Sequence, residues 1–403
     1  MTTNHTASRL APFGTTIFTE MTALAIKHSA VNLSQGFPDF DGPEFIRQAA
    51  CRAINEGHNQ YARMFGIPEL TKAVAADWAA RNQYAIDPDA NVTVTSGCTE
   101  AIAATFLGLI NPGDEVILFE PYYDSYRACI SMAGARPRFV TLRPRRHAAS
   151  GEMVADGFEF DEVELRAAFS SKTRAILLNT PHNPTGKVFT RNELDLIAVL
   201  CHEHDVIAIT DQVYERLLYD DARHISIADL PGMFERTVTL SSLGKTFSLT
   251  GWKIGWAVAP PHLTRAVRSA HQFLTFATAT PLQHAAAEAL ESSQAVEYVD
   301  RLAGDYERRR NFLAESLADI GYGVHVPAGA YFIFADHTPF SDKDDVAHCK
   351  RLIEHAGVAA IPPSVFYANQ DEGRRFVRFA FCKKDETLEE AVERMQSLKE
   401  RAA

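Results

Sequence analysis

The strongest chemical signal in the chain is a lysine set among glycines and small hydroxyl residues. Ser241-Ser242-Leu243-Gly244-Lys245-Thr246-Phe247 runs on through Thr250-Gly251-Trp252-Lys253 to Gly255. Such a loop lets Lys245 sit close to a bound phosphate ester, and Lys253, eight residues on, brings a second positive charge for the dianion. An arbitrary loop lysine is a solvated surface charge; the flanking glycines and hydroxyls set this one apart. A second segment, Asn179-Thr180-Pro181-His182-Asn183-Pro184-Thr185-Gly186, follows the apolar run Ala175 to Leu178, and its prolines and glycine fix a tight turn. In a third, Asp211 of Thr210-Asp211-Gln212-Val213-Tyr214 ends the apolar run Val206 to Ile209. A carboxylate at the carboxyl end of a buried strand lies where ligands bind in open α/β sheets, although it could equally cap the next helix. The fourth, Thr95-Ser96-Gly97-Cys98-Thr99-Glu100-Ala101, joins a strand to a helix whose free N–H groups suit a phosphate. P-loop spacing and a Gly-x-Gly-x-x-Gly fingerprint are both missing, so a short phosphorylated cofactor fits better than a nucleotide.

The elements that must hold these residues alternate. Strand-like runs fall at Val92 to Thr95, Glu115 to Phe119, Arg138 to Leu142, Ala175 to Asn179, Val206 to Thr210, Thr237 to Ser241 and Ile254 to Ala259. Several are apolar on both faces, as a sheet covered on both sides requires. Amphipathic stretches Glu100 to Ile110, Asp161 to Phe169 and Arg191 to His204 lie between them, which predicts an α/β sheet covered by helices. Beyond a long helical stretch from Thr280 to about Ala318 the pattern changes. Strands at Tyr331 to Ala335 and Val377 to Phe381, with helices at Asp344 to His355 and Leu388 to Lys399, predict a second, smaller α+β domain. Linker-like segments are short, around Pro144 to Gly157 and Thr338 to Asp345.

Composition narrows the function classes. At 403 residues, 46% apolar and 23% charged, the chain is long enough for two globular domains. A net charge of −11 gives no basic patch for nucleic acid or an anionic membrane, so small molecules are the expected partners. The six cysteines have no Cys-x-x-Cys spacing, which argues against a disulfide framework and a zinc site, and no metal constellation is visible. No run of 18 apolar residues and no basic leader with an apolar core occurs; a cytoplasmic location is the default expectation.

Taken in order, these segments resemble the class I/II aminotransferases of pyridoxal-phosphate (PLP) fold type I. The resemblance covers nearly the whole chain and is nearest the branch of kynurenine aminotransferase, glutamine transaminase K and bacterial methionine aminotransferase. Its carriers are Asn32-Leu33-Ser34-Gln35-Gly36-Phe37-Pro38-Asp39-Phe40, Asn59-Gln60-Tyr61, Glu120-Pro121-Tyr122-Tyr123-Asp124, Asn183-Pro184-Thr185-Gly186, and the two pieces around Lys245 and Lys253. It implies a large domain, 45–300, with a mostly parallel seven-stranded sheet between helices. A smaller α+β domain, 301–403, is joined by an N-terminal segment, 1–44. It further implies that Lys245 holds the cofactor as a Schiff base and acts as general base, and that Asp211 pairs with the protonated pyridine nitrogen. Asn183 and Tyr214 would bond the phenolate oxygen, and Tyr123 would stack on the ring. Gly97, Cys98, Thr99, Ser242 and Lys253 would hold the phosphate, with Tyr61 reaching in from the second subunit of a homodimer. For the substrate, Arg378 would clamp the α-carboxylate bidentately with Gly36 alongside.

The implied reaction moves the amino group of an amino acid to a 2-oxo acid by ping-pong kinetics. Where kynurenine-type relatives commonly carry a histidine, this chain has Ala277. The stretches around Phe18 and Phe276 instead suggest an apolar pocket, which separates side chains by only about 1–3 kcal/mol per methylene. Methionine, aromatic amino acids, glutamine and kynurenine are all compatible donors. Gln212 replaces a usual glutamate, and His182 and His271 receive no catalytic role. Two rivals keep the cofactor: a cysteine-conjugate β-lyase using the same lysine and aspartate, and a non-catalytic PLP-binding regulator.

Overall fold

The computed structural model describes residues 5–14, 16–82, 84–146, 153–340 and 343–402. Seven strands form its central sheet: β1 Val92–Thr95, β2 Glu115–Glu120, β3 Arg136–Thr141, β4 Thr173–Asn179, β5 Ile207–Asp211, β6 Thr237–Ser242 and β7 Gly255–Val258. They lie in the order β1-β7-β6-β5-β4-β2-β3, with β7 antiparallel to both neighbours and every other pair parallel. Residues of β5 and β6 are buried throughout, since helices including Gly97–Leu109, Arg191–Glu203 and Pro261–Leu274 pack over the sheet. β5 accordingly reads as a near-continuous apolar run, Ile207-Ala208-Ile209, while β6 alternates Thr or Ser with Val and Leu and buries its small hydroxyl residues as well. Thr190 and Glu193 close a reciprocal capping box at the start of Arg191–Glu203, satisfying two otherwise free N–H donors.

Register delivers the chemistry to one edge. Asn179 pairs with Asp211, Asp211 with Leu240, Ser242 with Gly255 and Gly255 with Thr95, so the chemically loaded ends of five strands form one row. Immediately beyond β6, the short helix Leu243–Thr246 carries Lys245.

The rest of the chain faces this edge. An antiparallel sheet of Gly323–His325, Phe332–Asp336 and Phe376–Ala380 pairs Phe334 with Arg378. Val31–Asn32 runs parallel to Val358–Ala359, and the Leu33 carbonyl accepts from Ala380 N at 2.8 Å, which lays the N-terminal segment along that sheet and brings Gly36 against Phe332. The two parts are stitched where Gly329 N donates to Gly186 O (3.0 Å) and Ala330 N to Leu217 O (3.0 Å).

Two expectations need correction, the single helix from Thr280 and the linker near Pro144. The helical stretch from Thr280 is two helices, Thr280–Glu291 and Ser293–Ile320, because Ser292 is extended and its hydroxyl caps the second by accepting from Gln294 N. That second helix runs through the division expected at 300/301. The stretch expected to be a linker near Pro144 contains an antiparallel pair, Arg143–Arg146 with Met153–Glu159; the remainder, 147–152, lies outside the described residues. In the second such stretch, Thr338–Phe340 is a 3₁₀ turn and 341–342 lie outside the described residues.

Gly186 tests the stitching. Its φ of +71° is left-handed, and a Cβ there would stand 2.2 Å from Pro327 Cβ. Gly186→Ala should lower the free energy of unfolding by roughly 1–3 kcal/mol in urea titrations. An unchanged midpoint would show that the Pro327 loop yields freely.

Candidate active site

Asp211 is 3% exposed at the floor of a cleft of about 720 Å³, mouth included. Tyr126 Oη donates to its Oδ2 at 2.8 Å and Val213 N to its Oδ1 at 3.2 Å. Among the described residues no lysine, arginine or histidine forms an ion pair with it. Burial raises its pKa, while the two hydrogen bonds pull the other way. Such a carboxylate is suited to a cationic ring N–H entering from the cleft. Burial, with the Asp211 charge beside it, also pushes the Cys98 thiol well above its ordinary pKa.

Lys245 Nζ stands at the junction of this cleft and a second one of about 560 Å³; Tyr123, Asn183 and Tyr214 line both. It donates to Tyr331 Oη at 2.7 Å and to Gly36 O at 3.2 Å. Burial lowers its pKa from 10.5 to about 8, because the ammonium loses hydration that nearby groups do not fully replace. Tyr214, buried edge-on against Tyr331 with ring centres 5.1 Å apart, has its hydroxyl pKa raised by burial.

One end of the first cleft is an anion cradle. Gly97, Cys98 and Thr99 open the helix Gly97–Leu109 with backbone N–H groups that lack intrahelical partners. Lys253, in a left-handed conformation, donates to Thr99 Oγ1 at 3.3 Å, and Ser242 lines the same wall. The start of β7 meets the first turn of that helix so closely that a Cβ on Gly255 would lie 2.6 Å from Cys98 N, so glycine is required for the backbone to form this end. A dianionic phosphate ester matches these donors in charge and kind.

The second cleft is built around Arg378. It is 2% exposed, donates to Ser34 O at 2.9 Å and Asn183 Oδ1 at 3.3 Å, and its Nε has no partner among the described residues. Phe332, Phe18 and Phe366 surround the guanidinium with ring centres 4.2, 5.3 and 5.5 Å away. Burial lowers its pKa to about 10. No carboxylate bonds it among the described residues, and a substrate carboxylate would complete its donor set.

The structure therefore brings Gly97, Cys98, Thr99, Tyr123, Asn183, Asp211, Tyr214, Ser242, Lys245 and Lys253 to one cleft, and Phe18, Gly36 and Arg378 to its neighbour. It does not bring in Tyr61, 88% exposed, or Phe276, half exposed; they pack edge to face on each other, 5.6 Å apart, and line neither cleft. Sequence reasoning missed Tyr126, Asp124, Phe332 and Tyr331 as site residues. Tyr126 follows Tyr123 by one helical turn, the only local signal for any of them. His182 and His271 are committed elsewhere: His182 bonds Thr185, and His271 bridges Glu100 and Met64 O.

A family model described as aminotransferase class I and II matches residues 28–395. Human kynurenine–oxoglutarate transaminase 1 is 40% identical over 94% of this chain and 95% of its own. The solved structure of N-succinyldiaminopimelate aminotransferase from Mycobacterium tuberculosis is 46% identical with a TM-score of 0.93, covering 98% of this chain and 100% of its own. That of Escherichia coli YbdL, identified with a methionine aminotransferase function, is 38% identical with a TM-score of 0.91 and the same coverage.

The lowered pKa of Lys245 is open to direct measurement. In the ligand-free chain, acylation at Lys245 followed by peptide mass mapping should titrate near pH 8, with exposed lysines reacting about two units higher. A Lys245 midpoint among the exposed lysines would mean that burial does not act on the amine as described.

Proposed function

The chain belongs to the class I and II aminotransferases, a PLP-dependent family of fold type I, and from that premise we propose that it moves the amino group of an amino acid with an uncharged side chain to a 2-oxo acid. Methionine, aromatic amino acids, glutamine and kynurenine are the candidate donors. When bound, the cofactor supplies an aldehyde that takes up the substrate amine and a protonated ring that draws electrons from Cα. Lys245 would hold the aldehyde through its amine, and its free amine would serve as the base beside the substrate Cα. Asp211 would favour the protonated form of the ring nitrogen by Coulomb attraction. Asn183 and Tyr214 would bond the phenolate oxygen, and Tyr123 would face the ring. Gly97, Cys98, Thr99, Ser242 and Lys253 take the phosphate, and Arg378 takes the α-carboxylate beside Gly36.

The observation that carries the preference for uncharged side chains is the charge balance of the second cleft. Among the described residues its cations are Lys245 and Arg378, both assigned to other groups, its walls include Phe18, Phe37 and Phe332, and its one carboxylate is Asp124. A side-chain carboxylate would meet Asp124 without a cation of its own. N-succinyldiaminopimelate, named for the Mycobacterium relative, carries carboxylates beyond the one Arg378 would hold; that relative's identity is what supports this second reading.

Specificity constants for methionine, phenylalanine, glutamine, kynurenine, glutamate and N-succinyldiaminopimelate should decide between them. We expect methionine and phenylalanine to exceed glutamate by roughly ten-fold or more, about 1.4 kcal/mol, with Asp124→Asn narrowing the gap. A preference for glutamate or the succinylated compound would sink the neutral-substrate reading. Ammonia release from a cysteine conjugate without any acceptor would favour the lyase.

We assign Tyr61 and Phe276 to the neighbouring site of a homodimer, which accounts for their distance from the cleft in their own chain. Mixed Tyr61→Ala and Lys245→Ala chains should then regain activity that neither has alone, since one site of the mixed dimer is intact. A mixture as inactive as its parts would place Tyr61 outside the site.

A further inference from the structure

Tyr331 lies beside the amine that the function assigns as base, yet no step described above uses it. Its ring is 1% exposed and held edge-on by Tyr214, Tyr306 and Phe332, with centres 5.1, 6.0 and 4.8 Å away. Its hydroxyl donates its only hydrogen to Gly36 O at 2.6 Å, which leaves its lone pairs toward Lys245 Nζ at 2.7 Å. Gly36 O is itself a second acceptor for Nζ at 3.2 Å. An uncharged amine has two hydrogens and one lone pair. With both hydrogens held by the Tyr331 and Gly36 oxygens, the remaining tetrahedral direction is the lone pair.

We infer that Tyr331 is a positioning residue that, with the Gly36 carbonyl, holds the free Lys245 amine by its hydrogens, so that its lone pair is presented to the substrate Cα. The proton leaving Cα becomes the third hydrogen of an ammonium whose other two are already held, and the electron pair of the broken C–H bond stays with the substrate. Burial keeps the Tyr331 hydroxyl protonated, so its hydrogen remains available for Gly36 O. The inference rests on the reading of Lys245 as the base.

The test is Tyr331→Phe in the holoenzyme, which keeps the ring and removes the oxygen. Tyr306→Phe is the matched control, because that neighbouring buried hydroxyl forms no hydrogen bond with Lys245 or Gly36 among the described residues. For Tyr331→Phe we expect kcat with methionine to fall roughly ten- to a hundred-fold, KM to stay within about two-fold, and the isotope effect from α-deuterated methionine to rise. Independently of activity, the acylation midpoint of Lys245 in the cofactor-free chain should move to lower pH, since the ammonium loses an acceptor. Tyr306→Phe should leave all of these unchanged. A fall in kcat without change in isotope effect or midpoint would reduce Tyr331 to a packing role and overturn the inference, as would a change in KM alone or no change at all. A wild-type chain that binds PLP but does not transaminate would overturn it by another route, through the function, whatever the acylation midpoint shows.

Discussion

A carboxylate buried without a cation is the constraint around which the site is arranged. Taking Asp211 out of water is costly, and two hydrogen bonds from Tyr126 and Val213 offset only part of that cost. The fold tolerates it because Asp211 ends β5 in the middle of the sheet, where register sets Asn179 and Leu240 on either side and burial on both faces fixes the strand. The carboxylate is thus aimed at the cleft by the most rigid part of the molecule.

The cations show the complementary imbalance. Burial depresses Lys245 and Arg378 for the same reason that it raises Asp211, yet no ion pair joins the three. They are kept apart by backbone: Arg378 sits on a strand of the small sheet, tied to Ser34 O, while Lys245 sits on a single helical turn after β6. Had Arg378 been free to reach Asp211, the pair would neutralise itself and the cleft would have no charge left to offer a ligand. Placing Arg378 on the small sheet and Asp211 and Lys245 at the edge of the large one leaves the three charges unpaired with one another along the two clefts.

What the sequence made legible follows from this geometry. Lys245, Asp211, Asn183 and the Gly97 turn could be read because each lies at a strand end whose apolar run is local and whose turn residues are diagnostic. Tyr331 could not: its residue type suits any half-buried strand, and its meaning depends on Gly36, nearly three hundred residues earlier, being laid across it. Asp124 was legible as a motif member, but not as the one carboxylate of the second cleft. The break at Ser292 was hidden because helical periodicity continues on both sides of a single capping serine. Tyr61 and Phe276 were named from the resemblance, and the single chain gives them no role in its own cleft.

The contact between Arg378 and Asn183 shows why the two sheets have to work as one site. At 3.3 Å it is the longer of the two hydrogen bonds that hold the guanidinium, and it crosses from the small sheet to the turn after β4. A carboxylate would offer the Arg378 fork an anionic, bidentate acceptor, which a single neutral amide oxygen cannot match. Asn183 lines both clefts, so the hydrogen bond from Arg378 ties the wall that they share to the small sheet.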